Sequence, residues 1–528
     1  MGQFVLLVLV LLGALITVPL GERFGVPSPV LMTLFGMVLA LLPFVPNVQL
    51  APELVLPLLL PPLLYAAAQR GSWRQFAANW QPIALLAVAL VCVTTVAVAV
   101  VAHSIVPGVT LAAATALGAL IAPPDPVAAT SVAGSLGLPR RMVSLLEGEG
   151  LFNDVTAIVL YHVAITAVVS GAFSWPAAVG TFVLSAVVAV AVGFAVGWAA
   201  ERLMAVLGDA TLQIGLSLLV PFVSYIAADQ LGGSGVLAVL TTAFYLGEHM
   251  WDADDVYGRF TGRAFWEVVD TMVTGVAFGL IGLEVHTVLD TLTSRMGQLL
   301  WWSAAVVAVV VVVRLAWLLP SAWLAKKVRR GLPAEQEIPL GWRETVVMWW
   351  AGMRGVASVA LALAIPFRTA DGALFPGREA IIAIAFAVIL VTLVVQGLTL
   401  PWLVRRLGVM ADTAYERELE RQLAIRAAKA ARTRLREINE SEGLPEEVVE
   451  MLGRRLVELG MRLSPEVADE ERRGAVEQRA ERVRTIRRVQ EEMMSAARHA
   501  VLEARRDPHA DPEVISRVLR ELDVRSLR

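Results

Sequence analysis

The sequence has one cysteine, Cys92, among 528 residues, so neither an internal disulfide nor a cysteine-built metal site can form. Its six histidines are scattered and match no metal-binding spacing such as HExxH. Charged residues make up only 17% of the chain, whereas hydrophobic residues make up 57%. A soluble protein of this length with that balance would aggregate, so the composition predicts a polytopic membrane protein.

Long apolar segments recur along most of the chain, each of a length suited to a transmembrane helix. There are thirteen: Phe4–Leu20, Val26–Val45, Leu54–Ala67, Pro82–Val101, Val109–Leu136, Val143–Val169, Trp175–Trp198, Ile214–Ala228, Gly235–Leu246, Ala264–Val285, Leu299–Leu324, Glu344–Pro366 and Ile381–Leu403. We therefore predict an all-α polytopic membrane protein with about thirteen transmembrane helices.

Basic residues are concentrated in alternate loops, and the positive-inside rule places those loops in the cytoplasm. These Arg-rich loops carry Arg23, Arg70, Arg74, Arg140, Arg141, Arg202, Arg259, Arg263, Lys326, Lys327, Arg329, Arg330, Arg405 and Arg406. The other loops carry only Arg295, Arg368 and Arg378. This predicts a plasma-membrane protein with its N-terminus outside and its C-terminus inside.

The composition changes near residue 411 to Arg, Glu and Ala in helical patterns that are charged on most faces. We predict a membrane transport domain over residues 1–410 and a soluble cytoplasmic helical tail over residues 411–528. Breaks are expected at Gly443–Pro445, Ser464–Pro465 and Asp507–Pro508. We interpret the tail as solvated helices, with regulation of transport as the alternative.

The sixth apolar segment contains polar residues that a bilayer does not tolerate without a purpose. Glu149, Asn153 and Asp154 lie in LLEGEGLFNDVTAIVLY, and Asp154 falls about 15 Å from the helix start, half of a ~30 Å hydrocarbon core. A charge at that depth costs several kcal/mol unless it faces a cavity or a partner. Asp154 is therefore a candidate ion-binding residue.

The fifth segment contains the second midplane carboxylate, Asp125, in the sequence IAPPDPVAATSVAG. Pro123, Pro124 and Pro126 interrupt the helix there and release carbonyls of the preceding turn. Broken helices with free carbonyls form the ion sites of secondary transporters. We predict that Asp125 and Asp154 bind Na+ as the transported ion, with Asp154 also carrying the proton.

The twelfth segment supplies a buried cation, Arg354, between Gly352 and Gly355. Because a charge at that depth needs a partner, we predict an ion pair between Arg354 and Glu149. Arg314, in the eleventh segment, is expected to bond helix carbonyls or an acid of a neighbouring span. The interruptions in the fifth and twelfth segments fit inverted repeats whose broken helices cross at the site.

Five stretches of the sequence, taken together and in their order along the chain, resemble motifs of the NhaP/NHE-type sodium/proton exchangers of the monovalent cation:proton antiporter superfamily. The matching stretches are Pro61–Ala68, Ala122–Ala128, Glu149–Asp154, Phe265–Val285 and Gly352–Leu361. The resemblance implies a thirteen-helix homodimer with inverted repeats and two crossed broken helices. It also places the ion-binding carboxylate on Asp154, the broken-helix Asp on Asp125, and the core Glu and Arg on Glu149 and Arg354.

The chain departs from the family pattern at three places. Pro124 and Gly150 stand where members commonly have Thr and Ser, and Ala66 stands where animal members have Glu. The lost hydroxyls predict a shell with more water and weaker discrimination between Na+ and its neighbours, which Gly150→Ser would test.

The sequence thus predicts a secondary antiporter that exchanges Na+ for H+ by alternating access, with Asn153 orienting Asp154. Such a protein serves pH homeostasis and needs no cofactor and no nucleic acid. A single titrating carboxylate, together with the resemblance, predicts electroneutral exchange. The alternatives are K+/H+ exchange in the same fold, an intramembrane aspartyl protease using Asp125 and Asp154, and a channel.

Overall fold

The computed structural model describes residues 2–42, 52–70, 80–131, 133–171, 175–249, 256–283, 296–328, 341–410, 413–453, 493 and 497. Within these ranges the regular structure is helical, apart from an isolated bridge between Arg368 and Leu374. The predicted all-α fold class is confirmed.

Each of the thirteen predicted segments coincides with a continuous or interrupted helix of the described chain. The helices are α1 Gly2–Phe24, α2 Ser28–Ala40, α3 Pro52–Arg70, α4 Trp80–Ile105, α5 in the pieces Leu111–Ile121, Val127–Thr130 and Ala133–Leu136, α6 Arg140–Ser170, α7 Trp175–Leu207, α8 Ala210–Gln230, α9 Gly235–His249, α10 Val256–Leu283, α11 Met296–Val328, α12 in the pieces Trp342–Trp350 and Val356–Leu363, α13 Arg378–Leu407 and α14 Thr413–Glu442. In the described chain, eight of these helices are each long and apolar enough to cross a membrane: α1, α4, α6, α7, α8, α10, α11 and α13. The exact number of spans stays a prediction.

The interruptions of α5 and α12 lie where the sequence predicted them. The first piece of α5 ends at Ile121, just before the prolines, since proline cannot donate the hydrogen bond that would continue the helix. The first piece of α12 ends at Trp350, and the second begins at Val356 after Gly352 and Gly355. The N–H of Asp125 donates to the Met353 carbonyl at 2.7 Å, so the two breaks meet.

Helix α10 packs closely on α1 and α2 through glycines. A side chain at Gly282 would collide with the backbone of α2 at Thr33, and one at Gly275 would collide with Ala14 of α1. Small residues let membrane helices approach in this way. The Thr33 hydroxyl also donates to the Phe278 carbonyl at 3.3 Å. These contacts fix the position of α10, which also contributes residues to the lining of a cavity.

The chain forms two compact units, Met1–Ala411 and Asp412–Arg528. In the second unit, α14 ends at Glu442 and Gly443 has φ +62°, a left-handed conformation that glycine adopts readily at helix ends. This end coincides with the predicted break at Gly443–Pro445. The predicted breaks at Ser464–Pro465 and Asp507–Pro508 lie outside the described residues.

Candidate functional site

A cavity of about 440 Å³ lies among α1, α2, α3, α5, α6, α10 and α12, and both candidate aspartates line it. Its acidic lining residues are Asp125, Glu147, Asp154, Glu267 and Asp270. Within the described residues, the lining includes no lysine and no arginine. A cleft lined by one sign of charge raises the local concentration of the opposite ion, so this cavity is suited to cations.

The Asp125 carboxylate joins the second pieces of the two broken helices. Its Oδ1 accepts a hydrogen bond from the Val127 N–H at 2.8 Å, and its Oδ2 accepts one from the Val356 N–H at 3.3 Å. Unpaired N–H groups at a helix start favour an anionic cap. The space that a side chain at Gly355 would need is filled by this carboxylate. Asp125 is therefore held in place by both helix starts.

Asp154 lies on α6 beside the same cavity, but its carboxylate is differently placed. It is partly exposed to the cavity, and among the described residues no protein donor hydrogen-bonds to it. A carboxylate without protein donors can take up a proton or a cation with little change in its surroundings. The two aspartates that the sequence singled out thus share a cavity but differ in their bonds.

Arg354 bonds backbone carbonyls, so the predicted ion pair between Arg354 and Glu149 is wrong. Its guanidinium donates to the carbonyls of Ile121 at 2.8 Å and Ala122 at 3.2 Å, and also to the Gly352 carbonyl. Carbonyls at the end of a helix have no donor within the helix, and Arg354 supplies the missing donors. It therefore closes the C-terminal end of the first piece of α5.

Glu149 instead pairs with Arg314 of α11. The two nitrogens of the guanidinium fork lie 2.5 Å and 3.0 Å from the two carboxylate oxygens, and both side chains are buried. Arg314 also donates to the Met348 carbonyl at 3.1 Å. The expectation that Arg314 bonds an acid of a neighbouring span or helix carbonyls is confirmed in both respects. A bidentate pair of this kind is among the stronger hydrogen-bonded contacts.

Three carbonyls at the break of α5 accept hydrogen bonds from side chains of the protein. Asn153 donates from its Nδ2 to the Pro124 carbonyl at 2.7 Å, and Arg354 takes those of Ile121 and Ala122. Buried carbonyls cost free energy without a donor, so nearby side chains satisfy them. Asn153 thus ties α6 to the break, and within the described chain its hydrogen bond goes to Pro124 and not to Asp154.

Gly150 lies beside the cavity with the ring of Pro126 against it. A side chain at Gly150 would collide with that ring. The Gly150→Ser variant is therefore a poor probe, because it would disturb the break as well as add a hydroxyl.

The cavity also holds hydroxyl groups that the sequence analysis missed. They belong to Thr17, Ser28, Thr130, Ser131, Thr271, Thr274 and Ser358. On α10, the spacing of Glu267, Asp270, Thr271 and Thr274 places them along one helix face, which is a signal that the sequence contained. The weaker discrimination between Na+ and its neighbours, expected from the hydroxyls missing at two positions, stays a prediction.

Known proteins that are similar to this chain identify its family. A profile of the family described as "Sodium/hydrogen exchanger, transmembrane" matches residues 7–406. An uncharacterized Na+/H+ exchanger of Mycobacterium tuberculosis is 35% identical over 99% of this chain and 96% of its own length. The sodium, potassium, lithium and rubidium/H+ antiporter of Bacillus pumilus is 31% identical over 84% of this chain and 68% of its own length.

A solved structure has the same fold. The sodium proton antiporter MjNhaP1 from Methanocaldococcus jannaschii covers 77% of this chain and 99% of its own, with a TM-score of 0.58 and 18% identity. Together with the family match across most of the membrane region, this places the chain in the family of transmembrane sodium/hydrogen exchangers.

Proposed function

We propose that the chain exchanges Na+ for H+ by electroneutral alternating access, with Asp154 carrying either the cation or the proton. Na+/H+ exchange is the activity of its family, which consists of transporters and not of enzymes. The intramembrane protease alternative is therefore wrong. The observation that carries the mechanism is the Asp154 carboxylate, which lies in an acidic cavity and accepts no hydrogen bond from the described residues.

The contrast between the two aspartates supports a stoichiometry of one proton per cation. Asp125 serves two helix starts through Val127 and Val356, and protonation would weaken both contacts. Asp154 accepts no hydrogen bond from a helix start in the described chain, so its protonation would break no such contact. If only Asp154 exchanges its proton for the cation, the charge carried in each direction is equal, and the exchange is electroneutral.

The position of the cavity supports alternating access. Its lining residues on α6 run from Glu147 to Asp154. They belong to the first half of this helix, which starts at Arg140 beside an Arg-rich loop. Under the predicted topology this end is cytoplasmic. Beyond Asp154, Ile158 and Tyr161 are buried in an apolar cluster. We infer an inward-facing state, sealed towards the outside.

Exchange in lipid vesicles tests the function. In vesicles with an acidic lumen and a pH-sensitive dye, adding Na+ should collapse the gradient, and an imposed membrane potential should not change the rate. Asp154→Asn should abolish this response, whereas Asp371→Asn, in the loop before α13, should keep it. Wild-type turnover in Asp154→Asn would refute the role of Asp154, and a rate that follows the potential would refute electroneutrality.

K+ and Li+ are further candidate substrates because the Bacillus pumilus relative is named for both. The same vesicles, tested with Li+, Na+ and K+ in turn, rank the ions. A channel would give single-channel currents, whereas the exchanger should give none.

We further propose that the protein is a homodimer in the plasma membrane with a cytoplasmic tail that serves pH homeostasis. The family resemblance and the Arg-rich loops support this arrangement. The mass of the protein in detergent and protease access to the tail in oriented vesicles test it.

A further inference from the structure

Thr274 of α10 carries a polar atom that the protein itself leaves unused. Its Oγ1 is buried and has no hydrogen-bond partner in the described part of the chain. Thr274 lines the cavity that contains Asp125 and Asp154. A buried hydroxyl without a partner lowers stability, so its position calls for an occupant of the cavity.

Other threonines of the cavity are bonded differently. The hydroxyls of Thr17, Thr130 and Thr271 donate to carbonyls of their own helices, as helical threonines usually do. Thr271, one turn before Thr274 on the same helix, bonds the Glu267 carbonyl at 2.8 Å. Thr274 makes no such bond, so its oxygen has no hydrogen-bond partner among the described residues.

The packing of α10 keeps Thr274 at the cavity. Gly275 lies against Ala14 of α1, and Gly282 lies against the α2 backbone. The hydroxyl therefore stands on a wall that the close packing holds in place. An alkali cation prefers oxygen ligands, and side chains already bond the Ile121, Ala122 and Pro124 carbonyls of the α5 break.

We propose that Thr274 Oγ1 is a ligand of the transported cation when the cation is bound at Asp154 in the inward-facing state. The inference rests on the proposed function and names an oxygen of its binding shell. Because α10 is a different helix from those that carry the aspartates, the hydroxyl limits the size of the site and helps to set the preference among alkali cations.

The test compares Thr274→Val with Thr271→Val, a matched variant on the same helix whose hydroxyl is already bonded. Thr274→Val should raise the apparent KM for Na+ about five- to tenfold, as expected for loss of one ligand, and should change the ratio between Li+, Na+ and K+. Thr271→Val should leave both near wild type. Thr274→Ser, which keeps the hydroxyl, should restore the wild-type KM.

Thermal unfolding separates a ligand from a structural residue. Without cations, Thr274→Val should be at least as stable as wild type, because it removes an unpaired polar atom. The increase in Tm on adding Na+ should be smaller in Thr274→Val than in wild type. If Thr274→Val does not fold, Thr274→Ala carries the same comparison.

Two results overturn the proposal: an unchanged KM and Na+-dependent Tm in Thr274→Val, or an equal change in Thr271→Val. The first would mean that the hydroxyl does not bind the cation, and the second that valine disturbs this face of α10 in general. Activity of Asp154→Asn would instead refute the proposed mechanism, and the Na+-dependent Tm would still report on Thr274.

Discussion

At the scale of single residues, the two deep arginines have different kinds of partner. Arg314 forms a charge pair with Glu149, whereas Arg354 bonds carbonyls of the α5 break. The loss of a charged partner leaves a buried charge uncompensated, but the loss of a donor leaves only neutral carbonyls. The two arginines should therefore respond differently to mutation of Glu149.

We expect Glu149→Ala to lower the free energy of unfolding by about 3–5 kcal/mol, because it leaves the Arg314 charge buried and unpaired. Arg314→Ala should cost a similar amount. The double variant should cost clearly less than the sum of the two, which thermal or denaturant unfolding in detergent can measure. Glu149→Ala combined with Arg354→Ala should be closer to additive. Strict additivity for Glu149 and Arg314 would contradict the pair.

Sequence alone could not assign this pair. It offers Glu149 two deep arginines as possible partners, and the choice depends on how α6, α11 and α12 pack. The depth of each residue follows from its position along a helix, and that part was predictable. The lateral distances between helices do not follow from any single segment.

At the scale of elements, the crossing of α5 and α12 depends on contacts between residues far apart in sequence. Asp125 caps the second piece of α12 at Val356, and Arg354 closes the first piece of α5 at Ile121. Each broken helix thus supplies the other with the charge that its open end requires. The prolines and glycines predicted where the helices break, but they carried no information on which side chain would cap each end.

Gly355→Ala tests this crossing. The added methyl group would occupy the space of the Asp125 carboxylate, so the bond to Val356 should be lost. A hydrogen bond to a charged group contributes about 1.5–3 kcal/mol, and we expect transport to fall about tenfold or more. Exchange in vesicles measures the effect.

Gly215→Ala is the matched control, since nothing lies within 4 Å of a side-chain carbon at that position in α8. It should transport normally. Wild-type exchange by Gly355→Ala would mean that the position of Asp125 is not critical.

At the scale of the whole molecule, the cavity reaches along α6 as far as Asp154, and Ile158 and Tyr161 beyond it are buried in an apolar cluster. Phe152 of α6 stacks on Phe244 of α9 with ring centroids 6.4 Å apart. The thirteen apolar segments predicted the helices and their order. They could not predict which half would be open, because that depends on how the helices lean against one another.

Cysteine labelling can locate the open side in a Cys92→Ser background, which has no other cysteine. We expect a membrane-impermeant thiol reagent to label Thr130→Cys, which lines the cavity, from the cytoplasmic side. Ile158→Cys, which is 8% exposed in the apolar cluster, should resist labelling from that side. Labelling of Thr130→Cys only from outside would contradict the inward-facing state.

The glycine contact between α2 and α10 also bears on temperature. Helices packed within lipid release no water when they meet, so their contact depends on dispersion forces and close fit. Burial of apolar surface from water weakens on cooling, whereas a contact such as Gly282 on the Thr33 backbone has no such dependence. Helix α10, which carries Thr274, should therefore keep its position in a cold membrane. Cooling should slow the exchange cycle without loosening the contact between α2 and α10.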